Sequence, residues 1–405
     1  MMKFKINVIT VLNILIIAPL IKPTGLVYLN PNMNTLFQNW KALSIIVMLF
    51  IVLIHFRKLT SVLKKNRYIK KGIVGLIIFE AIYLINTILR GVEYSDLLNN
   101  CFTCTVLFVY ILIESNLRKK SSFCSGLDFV CTFYITCQIV SMVTERLRIL
   151  PQLSGNGTPI YFFGPDNYSA FIVIPLLGIL MYLGCKQEGK IRFRKRDVSL
   201  LLVLTACYIW TGSVTAALSL IVFVVATIFF SNSKRLIEAF SVRGVLIILC
   251  ITLLLIISAN IQNYFLGVLS FVGKAENGFT LNSRTIIWAQ VLKIIYQNPF
   301  LGIGDLSEYE MTNYILGGAS HAHNIFLELL MRTGIIGTIS YLYFMLSPLI
   351  KKRATFVRPK NSVLWVAMYV YLVLSFMDFY PLIQAPILLI AFIYMSAEDQ
   401  EYHEN

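Results

Sequence analysis

Residues 337–350 read GTISYLYFMLSPLI, a helix-length run without a charged side chain. A helix on the surface of a soluble domain would show a polar face at every turn, and this run has none. Runs of the same kind recur along the chain, among them INVITVLNILIIAPLI (6–21) and VLIILCITLLLIISA (245–259). Each approaches the roughly 20 apolar residues that a membrane-spanning helix needs. Composition agrees: 57% of the 405 residues are apolar and 14% are charged, against about 45–50% and about 25% in soluble domains. The reading is an all-α, polytopic integral membrane protein, with residues 1–405 as one membrane domain.

Hydropathy places about twelve spans, near 6–21, 42–56, 72–89, 97–115, 123–144, 166–185, 198–211, 214–231, 244–259, 331–350, 363–378 and 383–396. The first follows Lys3 and Lys5 as a signal peptide would, but IIAPLIKPTG offers no small-x-small cleavage site, so it is expected to be a retained span. Most of the 35 Lys and Arg fall in the N-terminus and in alternate connections, RKLTSVLKKNRYIKK, NLRKKSS, KQEGKIRFRKRD, SNSKRLIEAFSVRG and KKRATFVRPKNS. The positive-inside rule then puts both termini in the cytoplasm and the protein in the cytoplasmic membrane. The net charge of +15 is mainly this topology signal, with some attraction to anionic lipid. Nucleic acid is not an expected partner, because the basic residues are dispersed over short loops and form no stripe. All eight cysteines lie in or beside spans, and Cys101-x-x-Cys104 reads as small-residue packing; no disulfide is expected.

Three outward segments are long enough to carry a function: 22–41, 145–165 and, much the longest, 260–322. The centre of the last, NSRTIIWAQVLKIIYQNP, opens on Asn282 and Ser283 and stops at Asn298-Pro299. Ile287, Val291, Ile294 and Ile295 recur at helical spacing while Arg284 and Lys293 stay off that stripe, which predicts a short amphipathic helix at the outer membrane surface or against the bundle. Next comes FLGIGD, whose Gly302 and Gly304 suit tight turns or a close approach of backbone to a ligand. An acidic patch, Asp305, Glu308 and Glu310, then leads to GGASHAHNIFLEL (317–329).

This stretch holds two of the chain's four histidines. From Asn324 onward the sequence is apolar at helical spacing, so His321 to Asn324 occupy a helix entrance, where free N–H groups and the dipole favour an anion. Three readings fit. Asn324 or Ser320 is a cap and the imidazoles are incidental. A metal reading needs three or four ligands and finds only Asp305, Glu308 and Glu310 nearby, with no H-E-x-x-H and no cysteine, so no metal site is expected. The third is anionic-substrate chemistry, with a histidine at a helix mouth and Arg284 forking onto phosphate oxygens. A lipid diphosphate suits such a pair.

The ordered series NSRTIIWAQVLKIIYQNPFLGIG and SHAHNIFLELLMRTGIIG resembles the signature of the O-antigen ligase and polymerase family, which includes Wzy-type polysaccharide polymerases. The positions are Arg284, Trp288, Pro299, Gly302, Gly304, His323, Asn324, Gly334 and Gly337. Upstream, FFGPDNYSAFIVIPLLGI and TGSVTAALSLIVFVV look like two earlier motifs, so the resemblance spans roughly 160–340. It implies a membrane glycosyltransferase, without cofactor or metal, whose donor is an undecaprenyl-diphosphate-linked oligosaccharide. The acceptor's hydroxyl attacks the anomeric carbon and the lipid diphosphate leaves. Carried over, Arg284 would hold the diphosphate and His323 would contact the phosphates or assist the acceptor hydroxyl, with Asn324, Gly302 and Gly304 shaping the site. Where the family often shows Ser-Arg this chain has Val214, so a second cation is expected from Arg146, Arg148, Lys274, Lys293 or His321, with Arg146 or Arg148 favoured.

Glu80, Asp128, Glu328 and Asp378 are costly in lipid and should face the bundle interior or water. Glu328, one turn past Asn324, is the candidate carboxylate base, against a structural hydrogen bond near the interface. The leading function is a polymerase joining lipid-linked repeat units into capsular, exopolysaccharide or O-antigen chains, with membrane lipid, a flippase and a chain-length regulator as partners. A ligase of the same family is the alternative, and a transporter of lipid-linked sugars the rival of another class. A transporter would show repeated halves with interrupted helices, and none is evident.

Overall fold

A computed structural model describes residues 7–25, 30–116, 120–147, 159–188, 190–232, 244, 247, 250, 281–306, 310–311, 314–315, 321–351, 359–375 and 384–398. These form thirteen α-helices and two short hairpins. Six precede the first hairpin: α1 (Val8–Ile17), α2 (Pro31–Ile54), α3 (Phe56–Lys65), α4 (Arg67–Leu89), α5 (Ser95–Asn116) and α6 (Lys120–Arg146). The hairpin of β1 (Ile160–Tyr161) and β2 (Gly164–Pro165) leads to α7 (Asp166–Gly184). The antiparallel pair β3 (Lys186–Glu188) and β4 (Lys190–Arg192) then precedes α8 (Lys195–Thr211) and α9 (Val214–Asn232). The remaining helices are α10 (Leu281–Gln297), α11 (Ile325–Lys351), α12 (Pro359–Leu374) and α13 (Gln384–Glu398).

The starts and stops follow from local chemistry. Asn7 and Asn30 cap α1 and α2 through side-chain oxygens that accept from Ile9 N and Asn32 N, and Pro31 opens the first turn of α2. Gly212, at φ 78°, ends α8 in the left-handed conformation that glycine adopts without strain.

Among the described residues, six helices are long and apolar enough to cross a membrane: Asn32–Ile54, Arg67–Leu89, Ser95–Glu114, Lys120–Arg146, Asn167–Gly184 and Ile325–Pro348. Four more are apolar but shorter, Val8–Leu20, Val214–Phe229, Lys360–Leu374 and Gln384–Ser396. The expected span at 244–259 lies almost wholly outside the described residues. Ile46, Phe50 and Leu53 of α2 stay exposed, as a surface meeting lipid would.

Two segments read as connections are helical instead. Part of RKLTSVLKK is α3, because Leu59, Val62 and Leu63 fall on one face, with Leu59 and Val62 buried and Lys64 and Lys65 at its basic end. The outward segment 22–41 becomes helix from Pro31, where Pro and the Asn30 cap nucleate α2 well before the apolar run begins.

α4 packs along α11, α12 lies between α7 and α9, α1 rests on α6, and α13 contacts α5 and α7. At one end of the bundle Arg194 bonds Asp128 and Asp197, and Arg196 reaches both carboxylates at 3.0 Å, tying α8 to α6. Burial works against the Arg194 charge, but the hydrogen bonds to Asp128 and Asp197 outweigh it and hold the guanidinium above its usual range. Lys360 sits 4.7 Å over the Tyr182 ring, which sets the start of α12 beside the end of α7. Where α12 ends, the Ser375 carbonyl accepts from Ile325 N (2.8 Å), the first residue of α11. A second, smaller core, Ile287, Trp288 and Val291 of α10 with Ile303, Leu327 and Met331, covers that region.

Candidate active site at the entrance of α11

The floor of the site is made of backbone. Within α11, Gly334 departs from helical geometry (φ 60°, ψ −167°), which releases carbonyls and N–H groups on either side of the break. The loop after α10 takes them up. Ile303 N donates to Met331 O and Gly304 N to Arg332 O, both at 2.8 Å, while Ile335 N donates to Pro299 O (2.8 Å) and Ile336 N to Phe300 O (3.3 Å). Such a break is tolerated at membrane depth only where other groups satisfy the freed backbone, as here. Gly302 and Gly304 are left-handed too, at φ 74° and 76°. A Cβ on Gly302 would lie 2.6 Å from the Arg332 carbonyl oxygen, and one on Gly304 2.6 Å from Thr87 N. The second contact belongs to α4, whose Asn86 amide donates to Leu301 O and whose Thr87 hydroxyl accepts from Asp305 N at 2.7 Å. Loop 298–306 is thus clamped between α4 and α11.

At the helix mouth, Asn324 is the cap. Its Oδ1 accepts from Phe326 N (3.0 Å) and Leu327 N (3.2 Å). His323 before it has φ 51°, the one left-handed non-glycine among the described residues. Such a conformation costs about 1–3 kcal/mol and persists only where the surroundings impose it. Its ring lies beside that of His321, centroids 4.0 Å apart. Between them, the Ala322 peptide is held at both ends. Its N–H donates to Glu328 Oε2 (2.6 Å) and its carbonyl accepts from the Trp288 indole of α10 (2.9 Å). Glu328 Oε1 takes Nε of Arg332, one turn on, and Arg332 Nη1 reaches Asp305, which also accepts from the Tyr83 hydroxyl of α4 (3.0 Å).

The sequence-predicted residues therefore divide. His321, His323, Asn324 and Glu328 come together, and Gly302 and Gly304 lie in the clamped loop beneath them. The amphipathic helix forms as α10, with Ile287, Val291 and Ile294 buried and Lys293 exposed. Arg284 is in its first turn, and Trp288, one turn later, touches the histidine segment. Arg146 ends α6, exposed, and no described contact links it to the histidines. Arg148, Lys274, Ser320, Glu308 and Asp378 lie outside the described residues, and Arg284 is described only in its backbone. Val214 opens α9, preceded by Ser213, which donates to Asn167 of the GPDN segment at 3.4 Å, so the two earlier motifs meet. Of the membrane acids, Glu80 accepts from the Thr105 hydroxyl (2.7 Å) and Glu328 pairs with Arg332, both buried, while Asp128 is half-buried and pairs with Arg194 and Arg196 at one end of the bundle.

A cavity of about 790 Å³ opens where α4 turns into α5, lined by Val92, Glu93, Tyr94, Asn99 and Phe102 among others, beside the Thr87 end of the clamp. A second, apolar cavity of about 610 Å³ lies between α1, α2, α6 and β1, with Glu145, next to the predicted Arg146, in its lining.

The glycine clamp and the histidine entrance fall in one contiguous sequence block, and that block has relatives. Residues 199–342 match the O-antigen ligase family. The matched stretch runs from α8 through Leu342 of α11, and so includes Arg284, the three left-handed glycines of the clamp, His323, Asn324 and Glu328. It begins later than the resemblance read from motifs, leaving GPDN outside. No curated protein matches the chain.

Arg332 and Asp305 are the site residues that sequence reasoning passed over as functional. The signal was present: Arg332 interrupts the apolar LLMRTG, and Glu328 stands four residues before it, the favourable order for an i,i+4 ion pair.

Proposed function

We propose that this protein is a polysaccharide polymerase, transferring a growing glycan from an undecaprenyl diphosphate onto the next lipid-linked repeat unit at the outer face of the cytoplasmic membrane. The family match supports lipid-linked glycan transfer in general. The observation that carries the site is the His323–Asn324 entrance, where a left-handed histidine is set at the positive end of α11. In the reaction the acceptor hydroxyl oxygen bonds to the anomeric carbon, the bond from that carbon to the phosphate oxygen breaks, and the diphosphate leaves with the electron pair. Arg284, on the helix that Trp288 docks against the histidine segment, stabilises the charge growing on that diphosphate. His323 donates to the phosphates or receives the hydroxyl proton, and His321, its ring neighbour, supplies the second donor that Val214 does not.

Incubating purified protein with a lipid-linked repeat unit should yield a ladder of products on a gel, and Arg284→Ala and His323→Ala should each reduce it by about 100-fold or more. A ladder unchanged in both variants would overturn the site assignment. Transfer of a preformed chain to another acceptor, without a ladder, would favour the ligase.

A further inference from the structure

We propose that Glu328 is a positioning residue, which with Arg332 and Asp305 fixes the angle at which the two histidines meet the substrate, and is not the proton acceptor of the reaction; this rests on the glycan-transfer reading of the site. The carboxylate is 1% exposed and both of its oxygens are engaged, Oε2 by the Ala322 N–H and Oε1 by Arg332. A base must lie within hydrogen-bond reach of the proton it takes, whereas Glu328 is turned away from solvent with each oxygen already drawn to a protein donor. Glu328 instead resembles a capping glutamate. It stands four residues into α11 from the Asn324 cap and reaches back past it to a backbone N–H. That N–H belongs to the peptide joining His321 to Ala322, so the carboxylate holds the hinge between the two imidazoles.

Arg332 sets the carboxylate in turn. Its guanidinium fork bridges Glu328 and Asp305, and Asp305 is fixed to α4 twice, by the Tyr83 hydroxyl and through its own N–H on Thr87. The chain α4, Asp305, Arg332, Glu328, Ala322 thus connects a membrane-spanning helix to the histidine peptide. On the opposite side, Trp288 holds the same peptide's residue from α10. Displacing reacting groups by as little as an ångström can cost about 100-fold in rate, so a brace of this kind has a kinetic signature without touching substrate.

The test compares Glu328→Gln with Glu328→Ala in the full-length protein in lipid nanodiscs. The readouts are the polymerisation ladder and hydrogen exchange of the peptide containing Ala322. An amide oxygen can still accept from the Ala322 N–H, its NH2 then turned to Arg332, which keeps Asp305 as its partner, but an amide cannot take a proton. Positioning requires Glu328→Gln to keep activity within about threefold and exchange near wild type, while Glu328→Ala loses at least about tenfold in kcat and exchanges faster at Ala322. Arg332→Met should resemble Glu328→Ala, because it severs the same chain from α4 to the Ala322 peptide. Loss of about 100-fold in Glu328→Gln with Ala322 exchange unchanged would make Glu328 the base and overturn the proposal. Exchange unchanged in Glu328→Ala would overturn it as well. If the wild type makes no glycan product, the functional reading fails while the exchange result still decides whether Glu328 holds the peptide.

Discussion

His323 carries two separable properties, an imidazole and a left-handed backbone. Asparagine shares the second but lacks the first, whereas a β-branched side chain has neither. His323→Asn should therefore melt close to wild type yet lose the product ladder, while His323→Val should lose about 1–3 kcal/mol of stability as well. Thermal unfolding of the two purified variants beside their activity checks this. The sequence supported a cap at Asn324 and a histidine beside it, because those follow from residue type at a helix start. The sign of φ at 323 was not legible, since the segment around it is held by partners distant in sequence, the Trp288 bond on Ala322 and the Ser375 carbonyl on Ile325, besides the nearer Glu328. The same cause hid Arg332. Its pairing with Glu328 is local, but its meaning depends on Asp305, brought in by the loop from 27 residues away.

At the level of elements, the amphipathic α10 and the helix from Asn324 were legible because periodicity reports which face is covered. The break in α11 was not, for a lone glycine in a spanning run reads as packing until its freed carbonyls are seen to have partners. Gly334→Ala should be costly on two counts, the left-handed φ and a Cβ driven into the Phe300 backbone. Gly91 separates them, having φ 71° with open space around it. Gly91→Ala should cost about 1–2 kcal/mol from conformation alone, and Gly334→Ala clearly more, with loss of activity. Equal melting temperatures for the two variants would mean that the clamp contributes nothing to stability.

For the whole molecule, hydropathy conveyed an all-helical membrane protein, but not which helices touch. The order α4 against α11, and α12 between α7 and α9, depends on shape at the contacts rather than on apolarity, which all of these helices share. At the end opposite the histidines, Asp197 is fully buried and joined to Arg194 and Arg196, which also bind Asp128 of α6. Asp197→Ala would leave α8 less firmly tied to α6, lowering stability by about 1–3 kcal/mol while sparing the ladder in whatever fraction stays folded. Differential scanning fluorimetry with an activity assay reads both.

The α11 side of the clamp beneath the histidines consists of four main-chain bonds, between loop residues 299–304 and α11 residues 331–336, and asks nothing of the side chains at Phe300, Leu301, Ile335 and Ile336, which are exposed. A seam written there in peptide groups and three glycines does not depend on which side chains surround it. Exchanging these four side chains for other apolar ones should leave the clamp intact.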